Sequence, residues 1–295
     1  MARRGLLALL LVAIASILPA VTGLRAQEGL ERRGTVPMLA ADSAPGETSS
    51  FAVYFFMDSL DEAGGPFLVP VYREVPHTVA VATAAVNALI DGPTAGEASS
   101  VPPISSAVPA DTELLGLSIA GGVATVDLSA EFEAGAGAFS VLGRLAQLTY
   151  TLTQFPTVDS VRLLINGEEV TEFSSEGVVI DGPLTRDDYL DFLPAIFVDG
   201  PFYGGPAGNP MRVVGLANVF EAQFMLTIVD NDGLIIVEMP VTASCGTGCW
   251  GTFDVTIPYD VDEDQMGALI AWDQSAEDGS QENVREYPVL LTPAD

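Results

Sequence analysis

FSVLGRLAQLTYTLTQFPTVDSVRLLINGEEVTEF, Phe139 to Phe173, holds a helix signal, a strand signal and a turn signal in one unbroken stretch. Val141, Leu145, Leu148, Leu152 and Phe155 recur at spacings of three and four, so one face of a helix over Phe139–Phe155 is apolar. Pro156 ends that helix, because it has no amide hydrogen and its ring clashes with the preceding turn. VRLLI reads as a strand, Asn166-Gly167 supplies the positive φ angles of a two-residue hairpin, and EEVTEF reads as the returning strand.

Working toward the N-terminus, FAVYFF (Phe51–Phe56) and FLVPVYREV (Phe67–Val75) read as two strands separated by DSLDEAGGP. Thr78 is placed to cap a helix whose apolar stripe is Val79, Ala82, Val86, Leu89 and Ile90, and Gly92-Pro93 stops it. Leu114–Ile119 and Val123–Leu128 flank Ala120-Gly121-Gly122, a second hairpin signal. Strands interleaved with two main helices predict an α+β domain with a mixed sheet over residues 51–190. From Pro194 the pattern changes to strands only: Met211–Val219, Ala222–Val229, Leu234–Val241, Gly251–Pro258, Ala268–Asp273 and Val284–Leu291. Short strands at that spacing predict an all-β, immunoglobulin-like sandwich over residues 194–293.

The chain of 295 residues has a formal charge of -29, and every basic residue is Arg. Such a surface repels phosphate backbones and anionic headgroups, so nucleic acid and acidic lipid surfaces are not expected partners. The first residues join Arg3 and Arg4 to an apolar run from Leu6 to about Val21, as an export signal does. Residues 1–26 are therefore read as a signal peptide or an uncleaved signal anchor, and the protein as extracytoplasmic, either secreted or anchored at the outer face of the cytoplasmic membrane. Residues 27–50, rich in Pro, Gly, Ser, Thr and Glu, bury too little to order themselves and read as a tether. The membrane is a partner only through the N-terminal segment, if that segment stays uncleaved.

Candidate chemistry is sparse. Cys245 and Cys249 are the two cysteines, spaced C-x3-C with Gly-Thr-Gly between them. The glycines allow the fold-back a disulfide needs and an exported chain meets oxidising conditions, so a local staple is the favoured reading. Redox chemistry lacks the C-x-x-C spacing and a helix N-terminus to stabilise a thiolate; zinc lacks a set of four ligands. His77, the sole histidine, reads as a helix-entry residue, and no triad can be assembled around another. Gly135-Ala136-Gly137 has the outline of a dinucleotide loop, but Ser140 stands where its third glycine belongs and Glu131 and Glu133 would repel a pyrophosphate. Asp260, Asp262 and Asp264 alternate at a spacing compatible with Ca²⁺ but without the glycine and downstream glutamate of a calcium loop; a solvated acidic turn is favoured. Phe202, Tyr203 and Trp250 are the aromatic residues that would stack on a glycan if the chain bound one. No cofactor is expected.

The run of motifs VPVYREV, ALIDGPTAGE, VPADTELLGLSIAGGVATVDLSAEF, LAQLTYTLTQFPTVDSVRLLINGEEV and PLTRDDY resembles the GerMN domain. PAIFVDGPFYGG, NPMRVVGLANVFEAQFMLTIVDNDG, VTASCGTGCWGTFDVTIPY and SAEDGS resemble the immunoglobulin-like domain that follows GerMN in bacterial proteins. The resemblance implies an extracytoplasmic protein linked to sporulation or germination, not an enzyme, whose fold builds scaffolds at the cell envelope. Its expected partner is an envelope protein or a further copy of itself. The alternatives are a module binding cell-wall glycan or a small ligand and, behind that, a carboxylate-dependent hydrolase.

Overall fold

A computed structural model describes residues 46–58 and 65–294. The signal segment and all but the end of the tether lie outside the described residues.

The first domain opens with β1 (Thr48–Met57) and β2 (Phe67–Pro76), antiparallel over their full length. Residues 48–50, read from the sequence as tether, are thus the start of a strand. α1 (Val81–Asp91) follows. It begins later than its expected cap: Thr78 Oγ1 accepts the amide of Ala80 in a short turn, and Val79 stands 98% exposed instead of joining the stripe. Ala85, Val86 and Leu89 form the buried face. A single turn, α2 (Ala95–Ala98), is closed by a reciprocal pair of hydrogen bonds between Thr94 and Glu97. β3 (Ile104–Ser105) completes the order β2-β1-β3.

β4 (Leu114–Ala120) and β5 (Val123–Leu128) form the expected hairpin, with Gly121 and Gly122 at φ 58° and 82°. α3 (Ala138–Thr153) then crosses over, so that β6 (Ser160–Ile165) lies parallel to β5. Asn166 and Gly167, at φ 51° and 83°, turn the chain into β7 (Glu168–Glu169), giving the order β4-β5-β6-β7. EEVTEF is not one strand: β8 (Glu172–Phe173) pairs with β9 (Val178–Val179) in a separate two-stranded unit. A 3-10 segment, Arg186–Phe192, leads out of the domain.

α3 is buried on nearly every side, and this explains its polar residues. It touches β1 on one flank and β6 on another. β1 is paired by β2 along one edge, but β3 covers only Phe56 and Met57 on the other. Side chains of α3 and its C-cap supply the missing edge bonds. Gln154 accepts from the Ala52 amide at 2.8 Å and donates to the Ala52 carbonyl at 2.7 Å. Thr151 accepts from the Tyr54 amide, and Gln147 donates to the Tyr54 carbonyl at 2.9 Å. A buried strand edge is thereby satisfied without another strand.

The second domain is a seven-stranded sandwich. β10 (Ile196–Gly200), β11 (Met211–Ala217) and β14 (Gly251–Ile257) form one sheet in the order β10-β11-β14. β12 (Gln223–Val229), β13 (Ile235–Thr242), β15 (Gln265–Gln274) and β16 (Gln281–Leu291) form the other, β13-β12-β15-β16. Its fourth strand pairs with the third, whereas the four-stranded sheet of a constant-type immunoglobulin domain takes it on the other side. Leu226, Ile228, Leu269, Ala271, Tyr287 and Val289 fill the interior, and Phe224 meets Phe253 across the sheets at 4.9 Å between ring centres. β10, absent from the strands read in the sequence, has Ile196, Phe197 and Val198 buried in succession because both of its faces are covered.

Candidate functional site: the joint between the domains

Phe202–Ala207, the segment after β10, is sewn into both domains by its backbone. The Tyr203 amide donates to the Pro70 carbonyl at 2.8 Å, and the Tyr72 amide donates to the Tyr203 carbonyl at 2.9 Å, so β2 gains a neighbour on its outer edge. On the other side the Gly204 amide donates to Pro288, the Leu290 amide to Gly205 and the Ala207 amide to Leu290, at 2.7, 2.9 and 3.0 Å. Main-chain hydrogen bonding therefore runs from β1 and β2 through this segment into β16 and the four-stranded sheet. Pro70 and Pro288 suit these positions, since each is used through its carbonyl and has no amide to leave unmade. Gly205 is required by contact: a Cβ there would lie 2.8 Å from Cδ2 of the Tyr72 ring.

Beside this seam lies a cluster of titratable groups drawn from four elements. Tyr54 comes from β1, Tyr150 from α3, Arg186 from the 3-10 segment and Asp199 from β10. Tyr54 donates its hydroxyl to one oxygen of Asp199, while Arg186 Nη1 binds the other at 2.6 Å. Arg186 also reaches the Tyr54 hydroxyl at 3.1 Å and Thr153 Oγ1 at 2.9 Å. Its guanidinium lies 4.6 Å from the centre of the Tyr150 ring and 5.4 Å from that of Tyr54. Phe197 closes the cluster edge-on to Tyr150 at 5.8 Å.

Burial, and then the Asp199 carboxylate, push the Tyr54 hydroxyl well above the usual tyrosine range. Tyr150 is raised chiefly by burial. Burial alone would lower Arg186, but Tyr54 and Asp199 outweigh it and hold the guanidinium protonated. These hydroxyls are thus donors locked in place, far from the pKa a general base needs at neutral pH. A second arginine pins the seam from the sandwich side: Arg285, 6% exposed, donates to the Met57 carbonyl at 3.0 Å and lies over the Phe67 ring at 5.5 Å.

The residues singled out in the sequence are scattered. Cys245 and Cys249 are joined in a disulfide with Cα atoms 6.0 Å apart, in the loop between β13 and β14. That loop leans on residues 218–222: the Thr247 amide donates to Val219, the Gly248 amide to Asn218, and a Cβ at Gly246 would lie 2.4 Å from the Ala222 nitrogen. Trp250 is half-buried against the core. His77 is exposed, with Nδ1 3.4 Å from Ser49 Oγ. Asp260, Asp262 and Asp264 are exposed, and among the described residues no three His, Cys, Asp or Glu side chains form a group able to hold a metal.

The Gly135-Ala136-Gly137 loop is organised from beneath. Arg144, 1% exposed, donates to the carbonyls of Phe132, Ala134 and Ser140 at 2.6, 2.7 and 3.1 Å, and Glu176 takes the Gly137 amide at 3.0 Å. The amide that a phosphate would need is already held by a carboxylate. Phe202 and Tyr203 are half-buried in the seam; burial raises the Tyr203 hydroxyl. Tyr203 borders a small cleft of about 60 Å³ with Met57, Val101 and Val284. Open clefts of about 460 and 440 Å³ flank the segment 178–184, and their linings contain no His, Cys or Ser.

The sequence reading missed the joint cluster. Tyr54, Tyr150 and Arg186 occupy positions ordinarily read as strand aromatic, helix aromatic and surface charge, and nothing in their spacing announces that they meet. The nearest signal was the run of polar residues, Arg144, Gln147, Thr149 and Thr151, inside a helix with a strong apolar repeat.

Among the described residues no helix is long and apolar enough to cross a membrane. Residues 52–171 match the Germane family model, described as sporulation and spore germination, and residues 195–280 match Gmad2, described as the immunoglobulin-like domain of bacterial spore germination. The spore germination protein GerM of Bacillus subtilis (strain 168) is 27% identical over 196 residues, which is 65% of this chain and 50% of that protein. The chain thus spans about half the length of this curated relative. Among solved structures, the tandem GerMN domains of the sporulation protein GerM from Bacillus subtilis align with 20% identity and a TM-score of 0.41, over 72% of this chain and 62% of that one. The first GerMN domain of the same protein aligns with 28% identity and a TM-score of 0.39, over 48% and 99%. Domain by domain, the chain is thus similar to the Germane family over residues 52–171 and to the Gmad2 immunoglobulin-like family over residues 195–280.

Proposed function

We propose that this protein is a non-catalytic, extracytoplasmic envelope protein of the sporulation and germination class, acting as a rigid scaffold that presents two domains in a fixed arrangement to protein partners. The observation that carries the reading is the joint. Its most strongly perturbed groups, Tyr54, Tyr150 and Arg186, are spent on one another and on Asp199, and a continuous backbone seam runs beside them. A catalytic centre keeps such groups facing a substrate-sized opening; here they hold one domain to the other. The Germane and Gmad2 matches and the similarity to GerM support the link to germination. The charged start and apolar run of residues 1–26 support export.

The test is affinity capture from envelope extracts with the full-length protein, alongside light scattering after size-exclusion chromatography. A specific envelope partner or a defined assembly is expected, and capture should weaken when Asp199→Asn loosens the joint. A strict monomer retaining no envelope protein would count against the scaffold. So would a substrate turned over by the protein, with turnover abolished by one substitution that leaves the fold intact.

A further inference from the structure

Of the six asparagines in the chain, Asn166 is the one followed by glycine. In such a pair the backbone nitrogen can attack the preceding side-chain amide with little hindrance, because glycine carries no Cβ beside it. Here the pair forms the turn between β6 and β7, and both residues are exposed. Water reaches the Asn166 side chain, so conformation is what stands between it and that reaction.

The fold opposes the attack in two ways. With φ at 51° and 83°, Asn166 and Gly167 both lie in the left-handed region that a two-residue hairpin turn requires. A left-handed Asn166 carries the Gly167 nitrogen nearly anti to its own Cβ, whereas closing a five-membered ring needs the two eclipsed. The second barrier is a carboxylate on the neighbouring strand. Asp127, in β5, accepts the Gly167 amide at 2.9 Å, so the proton that the nucleophile must lose is held, and negative charge developing on the nitrogen would face a like charge. The hairpin's own grip is slight. β7 has two residues, paired as Leu164 with Glu169 and Ile165 with Glu168, and the Arg162–Glu169 ion pair is exposed, at 3.3 Å. The Asn166 amide, bonded to the Leu128 carbonyl, fixes the start of the turn, and Asp127 fixes its far side.

We propose that Asn166 is a site of spontaneous deamidation and that Asp127 guards it, so that conversion proceeds only when the turn opens. In the open turn the Gly167 nitrogen attacks Asn166 Cγ. The N–Cγ bond forms, the Cγ–Nδ2 bond breaks, and ammonia leaves with the proton lost by the Gly167 amide. Water then opens the cyclic imide at either carbonyl, leaving aspartate or isoaspartate at position 166; nothing is oxidised or reduced. Isoaspartate adds a methylene to the main chain of a turn whose register permits no extra atom, so β7 slips against β6 and Glu169 leaves Arg162. Arg162, Glu169 and Val170 line the cleft of about 440 Å³ beside residues 179–182, whose outline changes with them. This chemistry is independent of the scaffold reading and survives its failure.

Peptide mapping by mass spectrometry of the full-length protein, held at mildly alkaline pH, tests the proposal, with the same protein unfolded in urea as the reference. The native protein should gain aspartate and isoaspartate at position 166 more slowly than the unfolded chain, by the factor that protects the Gly167 amide from hydrogen exchange. Asp127→Ala should raise both the deamidation rate and the exchange rate about tenfold, the weight of one partly screened hydrogen bond to a charged group. Asp127→Asn, which keeps an oxygen acceptor without the charge, should fall between, and it carries the test if the alanine variant does not fold. Asn166→Ser should abolish the product. A native rate equal to that of the unfolded chain would overturn the proposal, as would a folded Asp127 variant deamidating no faster than the unmodified protein. So would deamidation at other asparagines with Asn166 intact.

Discussion

Asp199 is the residue through which most of the joint passes: Arg186 and Tyr54 both end on it, and it belongs to the other domain. Its side chain is 26% exposed, so water screens part of the ion pair. Asp199→Asn should destabilise the protein by about 1–3 kcal/mol, the cost of leaving a buried polar partner unsatisfied, read as a lowered midpoint in urea unfolding. The Cys245–Cys249 loop is so short that its closure contributes only about 2 kcal/mol on the chain-entropy account. The double change to Ser should therefore lower stability by no more than that and leave the sandwich folded by circular dichroism. Glu97 gives the pH signature. Burial opposes its ionisation, but the Arg73 hydrogen bonds at 2.7 Å and the Thr94 amide prevail and hold its carboxyl below the usual range. A depressed folded pKa means stability present above the unfolded value and lost as pH falls through the folded one. Acid titration of unfolding below about pH 4.3 should show this loss, and Arg73→Ala should flatten it.

At the scale of elements, α3 does the work of a strand along the free edge of β1. Replacing Gln154 by Leu would leave the amide and carbonyl of Ala52 buried without partners, a cost of about 1–3 kcal/mol, while helix propensity scarcely changes. Hydrogen exchange should locate the damage: the Ala52 amide should lose protection more than the amides of α3 itself. The helix was legible from its repeat of three and four, and Val141, Leu145, Leu148 and Leu152 are buried as that repeat requires. What the pattern concealed is that the opposite face is buried too. Periodicity reports the apolar stripe, whereas Arg144, Gln147 and Thr151 are polar residues buried because each finds a backbone partner. The hairpin turns were equally readable, since glycine and asparagine at positive φ are a local requirement. The single strand expected from EEVTEF was not, because its split into β7 and β8 depends on which neighbours are free to pair.

Over the whole molecule, two domains that look separable by composition are one body by hydrogen bonding. The seam through Phe202–Ala207, the Asp199 cluster and Arg285 couple their unfolding, so calorimetry should give one cooperative transition. Gly205→Ala, by forcing Tyr72 aside, should broaden or split it. The described arginines tell a consistent story. Arg73, Arg162, Arg186 and Arg212 pair with Glu97, Glu169, Asp199 and Asp254, and Arg144 and Arg285 turn to buried carbonyls. With each of these arginines paired to a carboxylate or turned to a buried carbonyl, the outer field is that of the remaining carboxylates, and the protein should fail to sediment with vesicles of anionic lipid at physiological salt.

The sequence by itself determined the two main helices and most of the longer strands, the change from mixed to all-β architecture near Pro194, the glycine turns, the acidic composition and the resemblance that the family matches confirm. These follow from local stereochemistry, side-chain periodicity and composition, each of which acts over a few residues or is a simple sum. Only the tertiary structure decided that β5 and β6 run parallel, that an α-helix completes the edge of β1, and that Tyr54, Tyr150, Arg186 and Asp199 meet. Tyr54 and Asp199 lie 145 positions apart, and no local preference reaches that far. Their meeting is fixed by how apolar faces stack and by which buried polar groups remain to be satisfied once they have.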